Sequence, residues 1–216
     1  MSFREILLGL EDKVHPKHCA VLVIDVQNDF CADGGWYSKT NDMRMIQAMV
    51  PKLNDFLETA RATGVLTLLI KTIYSQHVIS PVMREKLIRR GLDLSYCIDG
   101  TWGAQFYGIR RHDKDIVVIK ERHSAFFGTE LDTILRQYDI RTVILTGVAT
   151  NVCVDCTARD AFARDYFIVF LSDCTATFSA ELHDYTLKNI DRVFGTVSDS
   201  NQVRDTWSRL NNRKTV

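Results

Sequence analysis

Five apolar runs, at 20–24, 65–70, 116–119, 143–145 and 167–171, fail to alternate with polar residues, and this restricts the fold more than any other feature. A strand with one wet face alternates. A strand covered on both faces does not, and that is the habit of parallel sheets. Between the runs lie stretches of helical spacing, clearest over 45–63 with Ile46, Met49, Val50, Leu53, Phe56, Leu57 and Ala60 on one stripe and Gly64 as its stop. Further helices are expected at 82–90 behind Ser80-Pro81, and at 129–138, 151–164, 180–192 and 199–210, with a sixth short strand at 195–197. Strict alternation of strand and helix predicts a three-layer α/β/α fold with a six-stranded, mostly parallel sheet of Rossmann-like topology. Pro51 is the misfit, marking either a kink or the true start of its helix.

No linker, repeat or low-complexity segment interrupts the 216 residues, so residues 1–216 are expected to form one domain. Residues 1–18 read as a lead-in over the surface, and 213–216 as a frayed tail. Between 72 and 114 the pattern weakens into an irregular excursion holding Trp102, Phe106 and Tyr107; so long a connection in a tight α/β chain suggests a lid or pocket wall. Lys plus Arg and Asp plus Glu each number 27, which leaves no basic excess for nucleic acid. Apolar runs fall far short of the ~20 residues of a membrane helix, and a signal-peptide pattern is missing. The six cysteines are scattered rather than framed for disulfides, so the cytoplasm is the expected location.

Three reactive side chains stand where predicted strands end. Asp25 closes the first run, Lys120 closes 116–119, and Cys153 follows 143–145 after a turn at Gly147, where a helix should begin. Carboxyl ends of parallel strands face one crevice. A helix N-terminus favours thiolate over thiol, so Cys153 reads as a nucleophile with a depressed pKa, whereas Cys19 and Cys174, beside strands, read as core residues. Asp25 suits a general base that takes the thiol proton and returns it to a leaving amine; its other reading is a brace for the first loop. Lys120 would stabilise that charged pair, or else sit solvated at its strand end. The turn at 147–153 can offer the N–H groups of Ala149 and Cys153 to an oxyanion. His77 and His123 are within reach of such a site or are hydrogen-bonded loop residues. Cys153 and Cys156 match C-x-x-C, but prolines occur only at 16, 51 and 81, so a thioredoxin-like cis-proline loop is lacking, and Cys156 is read as an oxidation liability. Gly-rich dinucleotide and P-loop signatures and a Gly-x-Ser-x-Gly elbow are absent from the sequence.

Val23-Ile-Asp-Val-Gln-Asn-Asp-Phe30, Lys120-Glu-Arg-His-Ser-Ala-Phe-Phe-Gly-Thr129, Thr146-Gly-Val-Ala-Thr-Asn-Val-Cys-Val154 and Thr157-Ala-Arg-Asp-Ala161 resemble the isochorismatase-like cysteine hydrolase family, in the same order over about 18–200. The resemblance implies an Asp25–Lys120–Cys153 triad, a cis peptide before Ala149, and a homodimer or homotetramer. It implies hydrolysis of a C–N bond, because members that cleave a vinyl ether commonly lack the cysteine. Asp-x-His, which in nicotinamidases contributes to a metal site, does not occur in the sequence, so no metal and no cofactor are expected. The segment 100–106 and the Ser-Ala-Phe-Phe-Gly motif resemble the ureido and carbamoyl amidohydrolase branch. The expected reaction is attack of Cys153 on a small carboxamide or ureido carbonyl, with ammonia released through a thioester. The alternatives are an isochorismatase-type ether hydrolase, a nicotinamidase-like amidase, and a non-catalytic redox or binding module. Phe30, Trp36, Trp102 and Phe127 are candidate pocket walls, Phe127 equally well a core residue, and Arg122 is a candidate partner for a substrate carboxylate.

Overall fold

Six strands form one sheet in the order β3-β2-β1-β4-β5-β6, all pairs parallel. They are β1 Cys19–Ile24, β2 Leu66–Thr72, β3 Ile116–Lys120, β4 Thr142–Val148, β5 Phe167–Ala176 and β6 Thr196–Ser198. The structure, a computed structural model, describes residues 6–213 apart from 76, 78, 90, 92 and 94. The expected helix end at Arg90, the first five residues of the lead-in and the tail beyond Arg213 lie outside the described residues. The α/β class, the layers and the strand count agree with the sequence reading.

The helices are α1 Leu10–Lys13, α2 Asn28–Cys31, α3 Arg44–Ala62, α4 Pro81–Arg89, α5 Leu131–Gln137, α6 Asp155–Phe162, α7 Ala180–Val193 and α8 Ser200–Arg213. The two-residue period of a strand divides the apolar runs of β1, β2, β4 and β5 between two cores, whereas edge strand β3, expected to be covered on both faces, leaves Val117 and Ile119 exposed. Val21, Val23, Leu69, Ile144 and Val169 pack beneath α3 and α8 with Leu53, Phe56, Leu57 and Val203. Ala20, Leu22, Ile24, Leu68, Leu145 and Phe170 pack on the other face beneath α5, α6 and α7 with Leu131, Leu135, Ala158 and Ile190. Each such side chain contributes roughly 1.5–3 kcal/mol when fully buried. Trp207 of α8 stacks on Phe56 of α3, with centroids 5.3 Å apart, and its indole N–H donates to the Val14 carbonyl at 2.6 Å. The lead-in is therefore pinned rather than draped: Leu7 and Val14 are buried.

Three boundaries differ from expectation for local reasons. Pro51 lies inside α3 and not at its start; Asp42 accepts from the Arg44 amide at 2.9 Å and sets the true start. β5 continues past its apolar run, because Thr175 and Ala176 still pair with Gly147 and Val148 of β4. Asp173 on that extension then caps α8, accepting from the Ser200 amide at 2.8 Å and hydroxyl at 2.6 Å. The helix expected from 151 begins instead as a π-helical turn, Thr150–Val154, before α6.

The excursion over 72–114 folds back onto the carboxyl ends of β1 and β2. Tyr74 bridges to Ile98, and Gln27 to Phe106. Gln27 holds it from below: its amide nitrogen donates to the carbonyls of Thr72 at 2.9 Å and Ala104 at 3.0 Å, while its oxygen accepts from the Thr72 amide at 2.7 Å. Buried Asp29 accepts from the amides of Trp36 at 3.1 Å and Cys97 at 2.7 Å. Gly103 is required beneath it, since a Cβ there would lie 2.0 Å from Asp29 Oδ2.

Candidate active site

The crevice forms where the strand order reverses between β1 and β4. Asp25 leaves β1 with a left-handed φ of 53°, which turns its side chain off the strand direction. Beside it β4 runs so close that a Cβ on Gly147 would lie 2.1 Å from the Ile24 carbonyl oxygen. Gly147, at φ 102°, admits the backbone there. The next peptide, Val148–Ala149, is cis, and the π-helical turn then carries Cys153 toward β1. Thr157 Oγ1 donates to the Cys153 carbonyl at 2.7 Å and accepts from the Ala125 amide at 3.0 Å, tying the turn to the loop after β3.

Asp25 and Lys120 meet across the intervening β2. Lys120 Nζ stands 2.8 Å from Asp25 Oδ2, both side chains closed to solvent. It also donates to Thr72 Oγ1 at 2.9 Å and to the Arg122 carbonyl at 2.9 Å. The Thr72 hydroxyl in turn donates to Asp25 Oδ1 at 2.9 Å. Thr72 is thus the bridge between the two charges, and sequence reasoning missed it. Its register partner on β3 is Lys120, so the end of β2 was the place to look. Asp25 Oδ2 accepts no aligned hydrogen bond from Lys120 and keeps a lone pair for another donor.

The electrostatics correct one expectation. Burial is the main influence on the Cys153 thiol and pushes its pKa well up; the Lys120 ammonium opposes this, and the Asp25 carboxylate adds to it by charge and hydrogen bonding. Cys153 stands in a π-helical turn ahead of α6 and is buried, and burial outweighs the expected lowering. Burial also works against the Lys120 ammonium, but Asp25 and Cys153 outweigh it, and its pKa is raised. Cys153 therefore rests as a neutral thiol hydrogen-bonded to the Asp25 carboxylate.

Around this cluster lies a cavity of about 50 Å³ lined by Phe30, Tyr37, Tyr74, Tyr96, His123 and Phe178, with Thr72, Val148, Ala149 and Val152 near the thiol. Tyr37 stacks on Phe178, with centroids 5.2 Å apart, and meets Tyr96 edge-on at 5.6 Å. Burial raises all three tyrosines above their usual range, so each presents a neutral hydroxyl. His123 Nδ1 is 3.7 Å from Cys153 Sγ.

Of the walls expected from sequence, Phe30 lines the cavity. Trp36 is buried one layer behind, 4.8 Å from both Tyr37 and Tyr96, with its indole N–H on Asp93. Trp102 and Phe127 do not line it: they are 52% and 63% exposed. In the Phe126-Phe127 pair it is Phe126 that turns inward to stack on Tyr166. Arg122 faces a separate, open pocket of about 450 Å³ with Phe127, Cys156, Arg159 and Asp160, and serves the triad cluster through its backbone carbonyl. His77 is exposed, away from the cavity. The walls that were missed, Tyr37, Tyr74, Tyr96 and Phe178, sit in loops after the carboxyl ends of β1, β2 and β5, where position rather than pattern was the available signal. Among the described residues no group of three or more His, Cys, Asp or Glu side chains is gathered as a metal would need, and no helix is long and apolar enough to cross a membrane.

The isochorismatase domain profile matches residues 19–202. The ureidoacrylate amidohydrolase RutB of Enterobacter sp. (strain 638) is 32% identical over 198 residues, which cover 85% of this chain and 86% of that protein. Among solved structures, a cysteine hydrolase from Pseudomonas syringae pv. phaseolicola superposes with a TM-score of 0.84 at 25% identity, covering 96% of this chain and 99% of that one. The N-carbamoylsarcosine amidase of Thermoplasma acidophilum does so with a TM-score of 0.70 at 28% identity, covering 85% and 96%.

Proposed function

The chain belongs to the isochorismatase family, and from that premise we propose that it is a cysteine-dependent amidohydrolase that releases ammonia from a small carboxamide or ureido compound. The observation that carries the reading is the buried Asp25–Lys120 ion pair beside Cys153, with Asp25 and Cys153 both lining one cavity. The ureidoacrylate amidohydrolase and carbamoylsarcosine amidase relatives support the bond type.

In this mechanism Asp25 takes the Cys153 proton as sulfur bonds to the substrate carbonyl carbon. A thiol raised by burial suits such a sequence, because the proton leaves only when an electrophile is in place. The oxyanion lies against the turn at Ala149, where the N–H groups of Ala149 and Cys153 are the candidate donors. Asp25 then gives its proton to the departing nitrogen, the C–N bond breaks, and ammonia leaves a thioester. Water, deprotonated by Asp25, adds to the thioester carbon; the C–S bond breaks and the proton returns to sulfur. Lys120 stays charged throughout and steadies Asp25 in both steps. Homo-oligomeric assembly and a cytoplasmic setting belong to the same reading.

The test is ammonia release from N-carbamoyl amino acids, ureidoacrylate, biuret and nicotinamide by the wild type and by Cys153→Ala. Turnover of at least one compound that falls about 10³-fold or more in the variant is expected. Ammonia release that survives the loss of the thiol would remove Cys153 as the nucleophile, and none at all, with the protein folded and its thiol reduced, would favour the ether-hydrolase or binding-module readings.

A further inference from the structure

The cavity beside Cys153 is poor in usable positive charge. The Lys120 ammonium is engaged by the Asp25 carboxylate 2.8 Å away and donates to Thr72 Oγ1 and the Arg122 carbonyl. Among the described residues, no lysine or arginine lines the cavity. Tyr37, Tyr74 and Tyr96 contribute neutral hydroxyls. An anionic substrate closed into this space would be a buried charge without a partner, which is strongly disfavoured. One lining group can change that. His123 projects from the loop after β3, is 3.7 Å from Cys153 Sγ, and also forms part of the wall of the open pocket outside.

Resting on the amidohydrolase reading, we infer that His123 sets the charge of the substrate this cavity accepts: uncharged amides and ureides enter as they are, whereas a carboxylate-bearing one enters only with a proton taken up from solvent onto the His123 imidazole. The surroundings fix the direction of the resting state. Burial is the largest influence and disfavours the imidazolium; Lys120 from β3, Lys86 from α4 and the adjacent Arg122 oppose it as well, and Asp25 after β1 favours it. Lys86 and Arg122 act from outside, since neither lines the cavity. At neutral pH the imidazole is uncharged and the site favours neutral substrates. A bound carboxylate supplies the missing counter-charge, and lower pH supplies the proton.

The experiment compares N-carbamoylglycine with N-propylurea, two ureido compounds of similar size that differ by one charge. For each, kcat/KM is measured from pH 6.5 to 8.5, and their ratio cancels every protonation step the two substrates share. In the wild type the ratio of acid to neutral compound should fall about tenfold per pH unit, the slope of one required proton. In His123→Gln, which cannot take up a proton, the ratio should be flat. Calorimetry on Cys153→Ala provides a reading independent of turnover: N-carbamoylglycine should bind with uptake of one proton, seen as a dependence of heat on buffer ionisation enthalpy, and N-propylurea with none. A flat ratio in the wild type, a slope retained in His123→Gln, acid binding without proton uptake, or binding of neither compound overturns the assignment. Turnover that persists without Cys153 sinks the amidohydrolase reading instead, and the calorimetric result on His123 still stands.

Discussion

Thr72 Oγ1 lies 2.9 Å from Asp25 Oδ1 and 2.9 Å from Lys120 Nζ, so a single hydroxyl at the end of β2 donates to the carboxylate and accepts from the ammonium. It locks the orientation of both charged groups inside the sheet. Thr72→Val keeps the shape and removes the bridge, leaving two buried polar groups each short of a partner. A loss of about 1–3 kcal/mol in denaturant stability is expected, together with a fall in kcat larger than any change in KM. Equilibrium unfolding and steady-state ammonia release check the two parts separately.

Lys120→Met should be more severe. It leaves the Asp25 carboxylate buried without its cation, a change worth about 3–5 kcal/mol. Adding Asp25→Asn removes the stranded charge and should restore part of that stability without restoring activity. A double-mutant cycle by urea denaturation measures the recovery, and strict additivity would deny the coupling.

Gly147→Ala tests the closeness of β4 to β1. The new Cβ meets the Ile24 backbone at 2.1 Å and sits on a residue with φ 102°, so no side-chain rotation relieves it. The expected cost exceeds about 4 kcal/mol, seen as loss of soluble yield or a collapsed denaturation midpoint. A midpoint close to wild type would contradict the packing.

Stability should fall as pH drops from 7 toward 5. His123 and His183 both have their pKa lowered in the folded state, chiefly by burial, while the unfolded chain titrates near the ordinary value of about 6.5. Below that value the unfolded state binds more protons than the folded one, so the free energy of unfolding decreases with falling pH until the folded values are reached. Urea midpoints at several pH values, compared between wild type and His123→Gln, should show a shallower slope in the variant.

The meeting of Asp25 and Lys120 was legible because each directly follows an unbroken apolar run, and a charged side chain just past such a run in a parallel sheet has few places to point except the crevice; Cys153 stands eight residues beyond its run and was placed by the turn at Gly147. The aromatic cage was not legible. Tyr37, Tyr74, Tyr96 and Phe178 stand in loops without periodicity, and what assembles them is tertiary: Asp29 gathering the Trp36 and Cys97 amides, and the Tyr74–Ile98 bridge. Trp102 and Phe127 are large aromatics in the expected segments, and size alone does not say which way a loop residue turns. The thiol's raised pKa was missed for a related reason. Sequence shows the approach to a helix start, whereas the π-helical turn is held by the Ala149 carbonyl, which accepts from the Val152 and Val154 amides.

Gln27 has a single NH₂ group, and two carbonyls share it: Thr72 on the sheet and Ala104 on the excursion. The same side chain accepts from the Thr72 amide, so one residue fastens the excursion to the strand end from which Thr72 reaches the ion pair. Pocket wall and ion-pair clamp therefore share a single fastening.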